Sequence, residues 1–426
     1  MTLRSITKLG FFLPRKLVHF RAWGGQSGSL LSIILLAFLS FCFARNCYCA
    51  GTLDSLVENS LKISLLHLEK SIAEVRDSTL YPTYGTPELS WKLKGSDDWT
   101  SGFYPGCLWY AYEASADTRF EQWAITWTAA IEHEALNRDT HDLGFRFMCS
   151  FGNGLRLGIG PGVKAYRDVM LTAASTLSKR YNPKIGCLSS NWDRASLQNS
   201  FPVIIDIMMN LDLLFWAAQN GGPHSYTEIA TRHARNVCRD FIRPDGGTYH
   251  IVRYDSVSGK IINRGTLQGA GDETTWSRGQ AWGLYGMAVA YRYTKDKEFL
   301  EAAEKLADYF LLHLAADHVA NWDFNSELNH PDASATSIAA SALLELLGYV
   351  ENDTLREHYR TGAEAMLSSL CHSPYFTDGL NTNCLLTHSV QYFPLNSNVD
   401  VPSIFADYYF LEALLRYRAL RKTESH

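Results

Sequence analysis

Metal, nucleotide and nucleophile motifs are missing from this 426-residue sequence. There is no HExxH, no clustered set of two histidines and a carboxylate, and no Gly-x-Gly-x-x-Gly loop. No Ser or Cys nucleophile motif stands out either. The sequence therefore calls for no cofactor and no metal. Charge is also scarce: Asp, Glu, Lys and Arg make up 19% of the chain and the net charge is only -5. Nothing in that balance draws the chain to nucleic acid. Beyond residue 51 there is no Pro/Gly/Ser-rich linker, no charge block and no low-complexity tract, so 51–426 reads as a single domain. Cysteine is present but not organised. Cys42, Cys47 and Cys49 lie near the N-terminus, and Cys107, Cys149, Cys187, Cys238, Cys371 and Cys384 are scattered without CxxC or zinc-like spacing. Most fall on apolar helix faces and read as buried thiols; a Cys371–Cys384 pair in an oxidising compartment is left open.

The first fifty residues differ from the remainder. Arg4, Lys8, Arg15, Lys16 and Arg21 precede an apolar run from Leu30 to Leu39, and small residues follow around Cys47, Cys49 and Ala50. A basic head, a short apolar stretch and a small-residue end make a secretory signal over 1–50, removed on export to the periplasm or medium. The apolar stretch is short for a membrane span.

From residue 51 the apolar residues recur at i, i+3, i+4 and i+7, which predicts about twelve helices. They fall at 53–76, 103–115, 118–136, 143–157, 162–181, 201–219, 225–242, 277–294, 296–314, 333–349, 353–371 and 402–421. Odd members have one charged and one apolar face; several even members, such as Ser334–Ala342, are apolar all round and must be buried on every side. Surface and buried helices in alternation predict an all-α fold, six hairpins closed into an (α/α)6 barrel. A helical solenoid would show a clearer fixed repeat. In such a ring the loops entering the inner helices converge at one end. The entrances read Asp97-Asp98-Trp99, Thr140-His141-Asp142, Asn191-Trp192-Asp193, Asp272-Glu273-Thr274, Pro331-Asp332-Ala333 and Asp400-Val401-Pro402. Any one Asp there is more often a helix cap, but six in phase with aromatics point to a shared pocket. The insert 243–276 carries alternating residues at 249–254 and Ser258-Gly259, which predict a β-hairpin overhanging that pocket with His250 and Gln268 facing inward.

The chemistry suited to this pocket is acid catalysis on a sugar. It needs one carboxylic acid held protonated near neutrality and a partner that positions or activates water. Asp142, beside Leu143, Gly144 and Phe145, is the candidate acid, because desolvation raises a carboxyl pKa. Asp98, among polar residues, is its candidate partner. Arg278 sits in a helix's first turn, where the macrodipole does not favour a cation. Flanked by Trp276, Gln280 and Trp282, it reads as a carboxylate clamp with stacking rings; the structural alternative pairs it with Asp272 or Glu273. The chain has 11 Trp, several beside Gly and Asp, which suits stacking on pyranose faces.

Taken together, the segments Asp98–Gly106, His141–Phe145, Ile205–Leu211, Thr275–Gly286 and Asp407–Leu414 resemble the unsaturated glucuronyl hydrolases of glycoside hydrolase family 88. The resemblance runs in order over residues 60–420. Ala406 departs from it, standing where the pattern has Gly, and Asp97 falls at a variable position. It implies an (α/α)6 barrel that acts on the C4=C5 vinyl ether left by polysaccharide lyases, rather than on the anomeric carbon. By match, Asp142 protonates C4 and then assists water at C5, while Asp98 tunes it. Trp127, Trp276 and Trp282 match the aromatic lining, and His250, Gln268 and Arg278 the polar substrate contacts. The partners implied are unsaturated uronate oligosaccharides, with no nucleic acid, no lasting membrane insertion and a monomer or small homo-oligomer. Competing readings are an unsaturated rhamnogalacturonyl hydrolase acting on pectin fragments and a conventional inverting glycosidase. A sugar epimerase or a non-catalytic sugar-binding barrel is further off. The former needs paired pocket histidines; the latter has no use for two acids.

Overall fold

Burial separates the helices into two rings. The computed structural model describes residues 53–159, 163–190, 199–379 and 381–424; the expected signal and the Asn191–Asp193 entrance lie outside them. The outer helices are α1 (53–75), α3 (Thr118–Ala130), α6 (Val163–Ser178), α8 (Ser225–Asp240), α10 (Lys297–Leu312) and α12 (Asp353–Leu370). Three start on side-chain caps: Asp117 accepts from Arg119 N–H, Asp296 from Glu298 N–H and Asn352 from Leu355 N–H.

The inner ring is α2 (Phe103–Ser115), a run of α4 (Leu143–Phe147), a π-helical turn (Met148–Gly152) and α5 (Asn153–Arg156), then α7 (Ile207–Gln219), α9 (Ser277–Thr294), α11 (Ala333–Leu346) and α13 (Ile404–Glu424). Each packs on the next, and α13 returns to α2, which closes the ring. Residues 277–290 of α9 are all buried, as is nearly all of α11. Small side chains such as Ala335, Ala339 and Ala342 let these neighbours approach closely. The (α/α)6 barrel expected from the periodicity is the fold observed.

Four small antiparallel sheets decorate one end. Strands β1 (Tyr81–Gly85) and β2 (Trp91–Lys94) form one hairpin, and β3 (Tyr181–Asn182) pairs with β4 (Cys187–Leu188). The expected hairpin over 243–276 exists as β6 (Ile251–Asp255) and β7 (Ile261–Gly265), but β5 (Ser200–Ile204) joins it as a third strand, with Val203 opposite Val252. This corrects the start of the expected 201–219 helix. Phe201-Pro202-Val203-Ile204 suits an edge strand better than a first helical turn, and the helix begins only after Asp206. Strands β8 (Ser389–Tyr392) and β9 (Ser397–Val401) complete the rim. The six described cysteines are free, Cys371 and Cys384 included, so that pair does not form. Among the described residues no helix is long and apolar enough to cross a membrane.

Candidate active site

The inner helices share one direction, and their ends show it. Residues at or before the starts of α2, α4, α7 and α9 line one cavity of about 340 Å³: Asp97 and Asp98, Thr140 to Asp142, Asp206, and Arg278. Residues from the C-terminal halves of the inner helices, including Arg156, Trp216, Arg292 and Arg416, line a separate cavity of about 650 Å³ at the opposite end. The first cavity also takes Tyr84 from β1, Lys94 from β2, Gln268 from the loop after β7 and Gln391 from β8.

Helix caps sort the acids. Asp332 caps α11, accepting from Ser334 N–H at 3.0 Å and Ala335 N–H at 3.3 Å, and it also pairs with Arg278. Asp98 accepts from the N–H and hydroxyl of Thr100 at 3.0 and 2.7 Å, while its other oxygen meets Lys94 Nζ at 2.8 Å. Asp272 accepts from Thr266 N–H, and Asp400 pairs with His388. Neither Asp272, Asp332 nor Asp400 lines the cavity, so the expectation of a pocket ringed by every entrance acid is corrected.

Two helix-entrance acids keep their carboxylates free of capping: Asp142 before α4 and Asp206 before α7. Asp142 Oδ1 takes a hydrogen bond from Asn210 Nδ2 at 3.3 Å and lies 3.5 Å from His141 Nε2. Asp206 keeps 15% side-chain exposure, toward the cavity it lines. Burial, and next the charge of Asp142, push its carboxyl up to about 7. This is a group that stays protonated near neutrality beside a second carboxylate. Reading Asn191–Asp193 as the entrance of this helix hid Asp206. The β-branched run before it was the available signal.

His250 faces Asp206, with Nε2 3.7 Å from Asp206 Oδ2. Its Nδ1 accepts from the N–H groups of Leu267 at 3.1 Å and Gln268 at 3.3 Å, which leaves the proton on Nε2. Burial lowers its pKa to about 3. His250 is thus a fixed neutral donor and not an acid or base.

Arg278 is buried and both of its terminal nitrogens are occupied. Nη1 binds Asp332 at 3.3 Å and the carbonyl of Val390; Nη2 binds Gln268 Oε1 at 2.9 Å and the Gln391 carbonyl at 2.9 Å. Its guanidinium lies 4.6 Å from the Trp276 ring centre. The clamp expected of it is therefore corrected. Arg278 lends positive field to the pocket, and its fork holds the β8 rim instead of presenting two open donors. Its ion-pair partner is Asp332, not Asp272 or Glu273.

The aromatic expectations divide. Trp276 packs on His250 at 4.5 Å, and Trp282 sits beneath the cavity against Phe145 at 4.9 Å and Tyr409 at 5.4 Å. Trp127 does not line the cavity. It lies on outer helix α3, edge-on to Tyr104, and donates to the Leu80 carbonyl at 3.2 Å, so its role is corrected to packing. The ring that does line the cavity is Trp99, held among Phe103, Phe145 and Phe405. Tyr84, with its hydroxyl buried and no acceptor for its proton, lines the same wall. The sequence pointed to Trp99 only as part of the first entrance, and to Tyr84 not at all. Among the described residues no group of three or more His, Cys, Asp or Glu is arranged to hold a metal.

Known proteins resemble this chain along most of its length. An unsaturated glucuronyl hydrolase of Formosa agariphila is 41% identical over 340 residues, covering 78% of this chain and 83% of the relative. An unsaturated chondroitin disaccharide hydrolase of Streptococcus agalactiae is 34% identical, covering 79% and 85%. Among solved structures, an unsaturated glucuronyl hydrolase specific for heparin superposes with a TM-score of 0.82 at 38% identity, covering 87% of this chain and 98% of that one. The pattern of glycosyl hydrolase family 88 matches residues 72–391, a span running from the end of α1 through the cavity-lining Gln391. The family pattern and these relatives together cover most of the barrel, and this chain belongs to glycosyl hydrolase family 88.

Proposed function

We propose that the enzyme removes a 4,5-unsaturated uronic acid from the non-reducing end of lyase-generated oligosaccharides by hydrating its C4=C5 bond. The observation that carries this reading is Asp206, an uncapped acid protonated up to about pH 7 beside Asp142. A vinyl ether needs one strong proton donor and no carboxylate nucleophile at the anomeric carbon. The relatives named for unsaturated glucuronyl and chondroitin disaccharide substrates support the substrate class.

In this reading the acid role expected of Asp142 passes to Asp206. Asp206 gives its proton to C4 and charge develops at C5 and the ring oxygen, where the Asp142 carboxylate stabilises it. Water adds to C5 as Asp206 takes back a proton, so the acid is regenerated. The C5 hemiketal opens to a ketone, and the hemiacetal left at C1 releases the remaining saccharide as an alcohol. His250 and Gln268 hold sugar oxygens, and Trp99 offers its face to the ring. Asp98 shapes the wall through its turn and its ion pair with Lys94. Export to the periplasm or medium, directed by residues 1–50, belongs to the same proposal.

The test follows the ultraviolet absorbance of the conjugated uronate with lyase-generated disaccharides. Wild type is expected to bleach it, and Asp206→Asn to lose roughly 10²–10⁴-fold in kcat, the usual size of general acid catalysis. Wild type that leaves the absorbance intact but releases reducing sugar from saturated glycosides would overturn the reading. Full activity in Asp206→Asn would remove Asp206 from it.

A further inference from the structure

Asn210 stands one helical turn after Asp206 on α7, so the two side chains leave the same helix face. It is fully buried. Its Oδ1 accepts the Phe145 N–H at 3.0 Å, and its Nδ2 donates to Asp142 Oδ1 at 3.3 Å. The Phe145 donor fixes the orientation of the amide, because only the oxygen can face it. Helix α4 is in direct contact here: a Cβ on Gly144 would lie 2.3 Å from the Asn210 Cα. One side chain therefore ties the backbone at the start of α4, the Asp142 carboxylate and the helix that carries Asp206.

We propose that Asn210 is a positioning residue that holds the Asp142 carboxylate against Asp206 and so sets the pH at which Asp206 gives up its proton. The inference rests on the function proposed above. The charged and titratable groups facing the pair come from several elements. From the α4 side come Asp139, His141 and Arg146, from the α2 loop Asp97 and Asp98 with Lys94, from β1 Tyr84, from α9 Arg278, and from the β6 edge His250; Arg180 acts on His141. Burial lowers both His141 and His250, so neither brings a charge at neutral pH. Arg146 is tied to Glu134 at 2.9 Å and Arg278 to Asp332, contacts that Asn210 does not touch. The group whose distance from Asp206 depends on Asn210 is Asp142. Freed of the amide, its carboxylate can rotate away, and a like charge acts less as it recedes.

The experiment compares kcat–pH profiles of the full-length enzyme, Asn210→Ala and Asn210→Ser on a lyase-generated unsaturated disaccharide. Alongside it, the Asp206 carboxyl is titrated by ¹³C NMR. The alkaline limb and the NMR midpoint are expected to move down together by roughly half to one pH unit. The optimal kcat should fall roughly tenfold and KM change little. The serine variant moves the same way, because its shorter hydroxyl cannot span both partners. An unmoved limb and midpoint in a variant with wild-type melting would overturn the inference. Failure of both variants to fold would do so too, assigning Asn210 to helix packing alone. A midpoint that shifts in an enzyme with no activity on the unsaturated disaccharide would leave Asn210 its role and remove the proposed substrate.

Discussion

Four aspartates at inner-helix entrances meet different fates, and each fate follows from what their oxygens accept. Asp332 is spent on a cap and an arginine, and Asp98 on a turn and a lysine. Asp142 and Asp206 cap nothing and keep their oxygens toward the cavity they line. Sequence shows that an acid stands at an entrance, but not whether a backbone N–H lies within reach, because that depends on one or two dihedral angles. The case of Arg278 is similar. Its odd place in a first turn is legible from the residues alone, yet its carbonyl partners lie more than a hundred residues downstream, at Val390 and Gln391. A lysine there would offer one compact ammonium to acceptors arranged for a planar fork. Arg278→Lys is expected to cost roughly 3 kcal/mol, the scale of a broken buried pair, and to reduce kcat/KM as the β8 rim loosens. Denaturant titration and steady-state kinetics check both. A stable, fully active lysine variant would mean the fork is dispensable.

At the scale of elements, the helical periodicity was readable almost everywhere because burial imposes it on every inner helix. It failed where a short apolar run preceded α7. Five or so apolar residues fit a strand and a buried helical turn equally well, and only the partner strand β6, some fifty residues on, decides between them. That one boundary error displaced the entrance from Asp206 to Asn191–Asp193, so a slip in secondary structure became an error in the site. Where α4 crosses α7, Gly144 provides the clearance. Gly144→Ala is expected to push the two helices apart, costing about 1–3 kcal/mol by overpacking and lowering kcat more than tenfold. An urea midpoint and a turnover number equal to wild type would show that the crossing yields without harm.

For the whole molecule, two buried acids shape the response to pH. Asp206 is raised to about 7, and Asp407, buried in the first turn of α13 and held by the N–H groups of Leu385 and Leu386, is raised by burial to about 8. Both titrate near 3.8 when exposed. Between about pH 4 and pH 8 these two groups therefore bind more protons in the folded chain than in the unfolded one, and their own contribution to stability falls as pH rises. Asp206→Asn removes one such burden, worth at most about 4 kcal/mol. The melting temperature of the variant is expected to exceed that of wild type increasingly from pH 5 to pH 8. A difference that does not vary with pH would place the Asp206 pKa near its ordinary value.

The contact of α13 with α2 carries one more consequence. The acids stand on segments made early, whereas the rim that holds Arg278 and the helix that seals the ring come from the last forty residues. During synthesis, then, every reactive group is present long before there is a chamber to put it in. A shortened product of translation would carry the acids without a place to use them. Activity in this protein is a property of the finished circle.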